Sequence, residues 1–291
     1  MLKNIILLLF FPFFVQSQSL EKRDSLGVFI KKTFQNTAFP DIQRENGHRY
    51  QNKLYTKEHH YSDSSVLIFI PKKFNTKEKN DIIFHFHGWY NNVDSVPVQF
   101  LLPEQLYQSG KNALLILPQG PKNAPDSYGG KLEQKRTFEL LVKEIIEFLY
   151  QEKHIVSNDL GNIILSGHSG AYRVMAHILK HGGVKDHIKE VWLFDGLYSQ
   201  ETKFLNWIKS NDGGFVNIYT KEGGTFSLSK TFEQTLLNHK IEFDRAEDGL
   251  TDKILQSSKR VKSIYSPLGH NDVMHKRKQF KRLIEHSNYL Q

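Results

Sequence analysis

The sequence predicts an α/β protein, a single domain built on a mostly parallel sheet of eight strands with helices on both faces. Three observations predict it. From residue 81 onward, strand-like and helix-like segments alternate. The strand-like segments are near-continuous in apolar residues, as strands covered on both faces must be. No Pro-, Gly- or Ser-rich linker divides the 291 residues into parts.

In chain order, residues 21–48 give only a weak element signal. "HRYQNKLYTKE" (48–58) and "SVLIFIPKKF" (65–74) read as two strands joined by a polar turn, antiparallel at one sheet edge. "DIIFHFHGWYNN" (81–92) is a buried strand stopped by Gly and Asn, and "PVQFLLPEQLYQSG" supplies a helix ending near Gly110. "NALLILPQG" (112–120) is another buried strand, opening into the turn-rich "PKNAPDSYGG". In "TFELLVKEIIEFLYQEK" (137–153), Leu141, Ile145, Phe148 and Leu149 share one helical face. The strand "NIILSGHSG" comes next, then a helix carrying Val174, Met175, Ile178 and Leu179. "IKEVWLFDG" (188–196) and "GFVNIYTKEGG" are strands, separated by the short helix "KFLNWIK". "LSKTFEQTLLNHK" is a helix and "VKSIYSPLGH" the last strand. A basic C-terminal helix, "HKRKQFKRLIEH", buries Phe280, Leu283 and Ile284 at helical spacing and presents its charges to solvent.

The first residues place Lys3 ahead of an unbroken apolar run from Ile5 to Val15, followed by small and polar residues. The run is short for a membrane span, so residues 1–17 are expected to be a cleaved signal peptide and residues 18–291 the mature domain, periplasmic or secreted, with no retained transmembrane segment. There is no cysteine, so the exported domain relies on its core rather than on disulfides. The net charge of +8 becomes +7 without Lys3. It favours an anionic surface polymer as partner, while the scattered basic residues and missing motifs argue against nucleic acid.

Chemistry concentrates at Gly167-His168-Ser169-Gly170-Ala171, between an apolar strand and a helix. Gly-x-Ser-x-Gly in that setting is a nucleophile elbow: the serine occupies a strained turn, and small neighbours let strand and helix approach. Alanine replaces the second glycine and is still small. Ser166 is the poorer candidate, still within the strand. A serine hydroxyl needs a base. Of fourteen histidines, His270 stands in a Gly-bounded loop after the last strand, whereas His85 alternates with Phe84 and Phe86 as a packed strand residue. His85-x-His87 lacks a third ligand of clear spacing, so no metal is expected, and no cofactor. For the acid, Asp195 ends a continuous apolar strand, and Glu222 ends the next one with the same kind of warrant; Asp195 is favoured because its strand stops at the acid itself.

With "HFHGW", "GHSGA" and "GHND" in this order along such strands, the chain resembles the α/β-hydrolase superfamily over roughly residues 48–290. The resemblance implies a Ser169–His270–Asp195 triad with Glu222 as alternative acid. It also implies an oxyanion hole from the backbone of Gly170 and Trp89, with Gly88 allowing the close approach. His87, Tyr90, His168, Tyr128 and Tyr198 are expected to line the substrate site. The connection between the sixth and seventh strands is short, so no large lid is expected. The implied activity is carboxylic ester hydrolysis through an acyl-enzyme, on a small-molecule, glycan or peptide ester, with an acyl substituent on a glycan favoured by the aromatic and amide rim. Alternatives are a serine peptidase or amidase, or an inactive surface or glycan-binding protein on the same scaffold.

Overall fold

The computed structural model describes residues 25–291. The expected leader and its cleavage site lie outside the described residues. The strands are β1 (Gly27–Thr33), β2 (His48–Tyr50), β3 (Lys53–Tyr55), β4 (Ser65–Pro71), β5 (Asn80–Phe86), β6 (Leu114–Pro118), β7 (Leu160–His168), β8 (Ile188–Phe194), β9 (Gly214–Tyr219), β10 (Asp244–Ala246) and β11 (Val261–Tyr265). Nine of them form one sheet in the order β1-β4-β6-β5-β7-β8-β9-β11-β10. Pairing is parallel from β6 through to β10, and β1 and β4 run antiparallel at the other edge.

Seven of the expected strands stand in this sheet, but the strand expected over 48–58 does not. That segment forms a separate hairpin of β2 with β3. Gln51 and Asn52 both have positive φ, 46° and 64°, the backbone of a tight two-residue hairpin turn, which folds the segment on itself before it can extend. The edge position goes instead to β1, from the region that carries little sequence signal. Val28, Lys31, Lys32 and Thr33 of β1 are exposed, so its apolar pattern is diluted as an edge strand's is. The added β10 is three residues of Asp-Arg-Ala, too short and polar to announce itself.

The longer helices are α1 (Leu102–Ser109), α2 (Thr137–Gln151), α3 (Tyr172–His181), α4 (Glu201–Ser210), α5 (Phe226–Asn238) and α6 (Gln279–His286). Strand side chains alternate between two cores. Ile82, Phe84, Leu165 and Leu193 join α2, α3, α4 and α5 on one face. Ile83, Ile164, Trp192 and Phe194 join α1 and α6 on the other. Phe280, Leu283 and Ile284 of α6 are buried there, as their spacing predicts. Among the described residues no helix is long and apolar enough to cross a membrane.

The parallel register sets where a site can form. Phe86 lies opposite Gly167, and His168 opposite Phe194. The carboxyl ends of β5, β7 and β8 are therefore side by side, where open parallel sheets place their sites.

Candidate active site

Strand β7 passes directly into a turn at Ser169–Ala171 and then into α3. Ser169 has φ 55°, a left-handed conformation that is strained for a serine. The surrounding small residues explain how the turn fits. A Cβ on Gly167 would stand 2.3 Å from Met175 Sδ and 2.8 Å from Ala171 Cβ. Ala171 already fills the space beside Gly167, so alanine is accommodated where Gly167 could not be replaced. Ser166 is buried in the strand, and its Oγ pairs with His85 Nδ1 at 3.0 Å.

Asp195 comes directly after β8 with φ 46° and is fully buried. Its Oδ1 accepts from the Thr220 backbone N–H at 3.0 Å and from Thr225 Oγ1. Its Oδ2 accepts from Thr220 Oγ1 at 2.7 Å and from His270 Nδ1 at 2.6 Å. Burial alone would raise the carboxyl, but these hydrogen bonds, that of His270 foremost, outweigh it and hold the group below the ordinary carboxylate range. The bond also sets the His270 tautomer: Nδ1 carries the proton and Nε2 is left with its lone pair. Asp195 therefore faces His270. Glu222 lies near Gly269, where a Cβ would sit 3.1 Å from its Oε2, and among the described residues it has no hydrogen bond to His270.

The loop after β5 approaches the serine closely. A Cβ on Gly88 would lie 2.7 Å from Ser169 Cβ and 3.2 Å from Ser169 Oγ, so only glycine lets this loop pass. His87 is buried and lies under this loop, away from the substrate-lining place expected of it. Its Nε2 accepts from the Gly120 N–H at 3.0 Å and from Gln119 Nε2 at 2.7 Å, so Nδ1 bears the proton and donates to the Gly88 carbonyl at 2.9 Å. Burial lowers its pKa to about 4, which keeps it in this neutral form. In a trans peptide the carbonyl and the next N–H point opposite ways. Pinning the Gly88 carbonyl thus turns the Trp89 N–H away from His87. That N–H has no backbone partner among the described residues.

Ser169, Gly170 and His270 line one cavity of about 530 Å³. Trp89, Tyr90, Tyr172 and Tyr198 give it aromatic walls, and Asn91, Gln99 and Asn271 contribute amides. Among the described residues no Asp, Glu, Lys or Arg lines it. Trp89 is fixed from two sides, by its Nε1–H donated to Ser127 Oγ at 2.8 Å and by Tyr50 of the hairpin at 5.3 Å edge to face.

Two of the residues expected to line the site also hold neighbouring loops in place. His168 is buried yet lines the cavity as expected, and its Nε2–H donates to the His270 carbonyl at 2.9 Å, anchoring the histidine loop. Burial first, then the neighbouring His270, lowers its pKa to about 4. Tyr128 is outside the cavity. Its hydroxyl donates to Asp41 Oδ1 at 2.9 Å and its ring is flanked by the guanidinium groups of Arg44 and Arg173 at 4.5 and 5.0 Å. It ties residues 41–44 to the loop after β6; its neighbour Ser127 points into the cavity in its stead. The sequence pattern alone does not single out Tyr172, Thr220, Thr225 or Gly223. Tyr172 has a signal, since it opens the helix immediately beyond the elbow. Among the described residues no three His, Cys, Asp or Glu side chains form a metal-holding group.

No family model and no curated protein matches the sequence. Solved structures do share the architecture. The feruloyl esterase module of Clostridium thermocellum superposes with a TM-score of 0.54 at 10% identity, over 90% of this chain and 88% of that one. A ferulic acid esterase gives 0.53 at 11% identity, over 89% and 99% of the two chains. The fluorophosphonate-binding serine hydrolase FphF of Staphylococcus aureus gives 0.52 at 12% identity, over 89% and 97%. With its mostly parallel sheet, its elbow between β7 and α3 and this likeness in structure, the chain has the fold of the α/β-hydrolase superfamily.

Proposed function

We propose that the protein is an exported serine hydrolase that cleaves a carboxylic ester through Ser169, His270 and Asp195. The observation that carries this reading is the 2.6 Å bond from His270 Nδ1 to a buried Asp195, with both Ser169 and His270 on one cavity. His270 Nε2, unprotonated, takes the Ser169 proton as Oγ attacks the ester carbonyl. The imidazolium that forms is stabilised by the Asp195 carboxylate. The backbone N–H groups of Gly170 and Trp89 receive the negative charge on the tetrahedral oxygen. His270 then protonates the departing alcohol, and water repeats the cycle on the acyl-enzyme.

The titles of the structural neighbours, which name feruloyl and ferulic acid esterases and a serine hydrolase, support ester chemistry. The uncharged walls of aromatic rings and amides suit a neutral group such as an acylated sugar. The positive net charge supports adhesion to an anionic surface polymer, through surfaces outside this cavity. The apolar leader supports export.

The test is hydrolysis of p-nitrophenyl esters, acylated oligosaccharides and peptide amides by the purified protein and by Ser169→Ala. Ester kcat is expected to fall on the order of 10⁴- to 10⁶-fold in the variant, together with loss of fluorophosphonate labelling. Ester activity persisting in Ser169→Ala rejects the mechanism, and cleavage of amides alone would make the protein a peptidase or amidase. Intact mass of the exported protein is expected to give a mature N-terminus near Gln18.

A further inference from the structure

Tyr198 stands in the turn after β8, three residues beyond Asp195, and differs from the other cavity tyrosines in what its hydroxyl reaches. The Oη donates to the Gly223 carbonyl. Gly223 is the residue that closes over the acid and the histidine. A Cβ there would fall 1.6 Å from Asp195 Oδ2 and 2.5 Å from His270 Nδ1, so its backbone lies directly against their hydrogen bond. Its N–H donates to Thr220 Oγ1 at 2.9 Å, and the same Thr220 hydroxyl donates to Asp195. The turn covering the pair is thus held by Thr220 through the Gly223 N–H and by Tyr198 through the Gly223 carbonyl. The Tyr198 ring packs 5.9 Å from that of Tyr172, the first residue of the helix that continues the serine's turn.

We propose that Tyr198 is a positioning residue of this centre: its phenol ties the 220–224 turn down over the Asp195–His270 hydrogen bond. The proposal rests on the reading of Ser169 as nucleophile and goes beyond it. A turn freed from its carbonyl tether admits water to the Asp195–His270 bond, and the higher local dielectric weakens the interaction that orients the imidazole. The phenol has one proton to give, and the Gly223 carbonyl receives it.

Tyr198→Phe removes the hydroxyl and keeps the ring against Tyr172. It is expected to lower kcat for a p-nitrophenyl ester about tenfold with KM unchanged. Fluorophosphonate labelling of Ser169 should slow in the same proportion, with Tm as in the wild type. Tyr198→Leu, which also loses the ring contact, should lower both kcat and Tm. A Tyr198→Phe variant with wild-type kcat and labelling rate overturns the proposal. A change confined to KM overturns it as well, by making Tyr198 a substrate contact. If the wild type neither hydrolyses esters nor labels, the serine hydrolase reading fails and takes this one with it, so the two failures are told apart by the wild-type control.

Discussion

Asp195 shows how one carboxylate is fitted to its place: it is fully buried, its lone pairs are taken by Thr220, Thr225 and His270, and its charge is retained against burial. An amide at this position donates as well as accepts, and turns the imidazole to the tautomer with its proton on Nε2. Asp195→Asn is therefore expected to reduce kcat on the order of 10⁴-fold, the loss seen when a triad histidine is left in the wrong tautomer. Glu222→Gln should leave kcat and KM near wild type. Steady-state kinetics of the two variants on one ester decides between the acids. Two further histidines support the centre. His87 fixes the Gly88 peptide and His168 fixes the His270 backbone, and both are held neutral by burial.

At the scale of elements, the site is built from strand ends and the loops that lean on them. The hairpin of β2 and β3 stands off the sheet and meets the cavity rim through Tyr50 on Trp89 and Tyr55 near Tyr90. Residues 41–44 brace the loop that carries Ser127, through the Arg44–Asp126 ion pair and the Tyr128–Asp41 hydrogen bond. The 220–224 turn supplies both the Thr220 hydrogen bonds and the Gly223 cover. Gly223→Ala tests this turn directly. The added methyl group collides with Asp195 and His270 and must displace one of them. A displacement near 1 Å in a catalytic group costs on the order of 10²-fold in rate, so kcat should fall by about that factor. The thermal unfolding midpoint, read on the same sample, should change little, because the turn is at the surface end of the sheet rather than in either core.

The whole molecule responds to pH through groups far apart. His87 and His168 stay neutral in the fold down to about pH 4, whereas in the unfolded chain they take protons near the ordinary histidine value of 6.5. Their contribution is complete above that value and is lost as the pH falls toward 4. Glu190, under the amino end of the sheet and bonded to Ser287 Oγ at 2.6 Å, behaves oppositely. Burial pushes its carboxyl up to about 7, so its contribution is complete in acid and is lost as the pH rises through that value. Glu190→Gln should consequently raise Tm at pH 8 and leave it near wild type at pH 4, as read by thermal unfolding across that range. The sequence by itself determined the fold class and the seven strands from residue 65 onward that carry the sheet, because buried strands and amphipathic helices write their periods locally. It also determined the elbow at Ser169, where the requirement for small residues acts within five consecutive positions. Only the tertiary structure decided that residues 27–33 and not 48–58 form the antiparallel edge, that Asp195 and not Glu222 meets His270, and that Tyr128 braces a loop while Ser127 and Tyr172 line the cavity. Each of these depends on which strand end or loop faces which across the sheet, between residues as far apart as the 75 positions separating Asp195 from His270. Pairing over such distances is set by register and packing, to which local sequence periods carry no information.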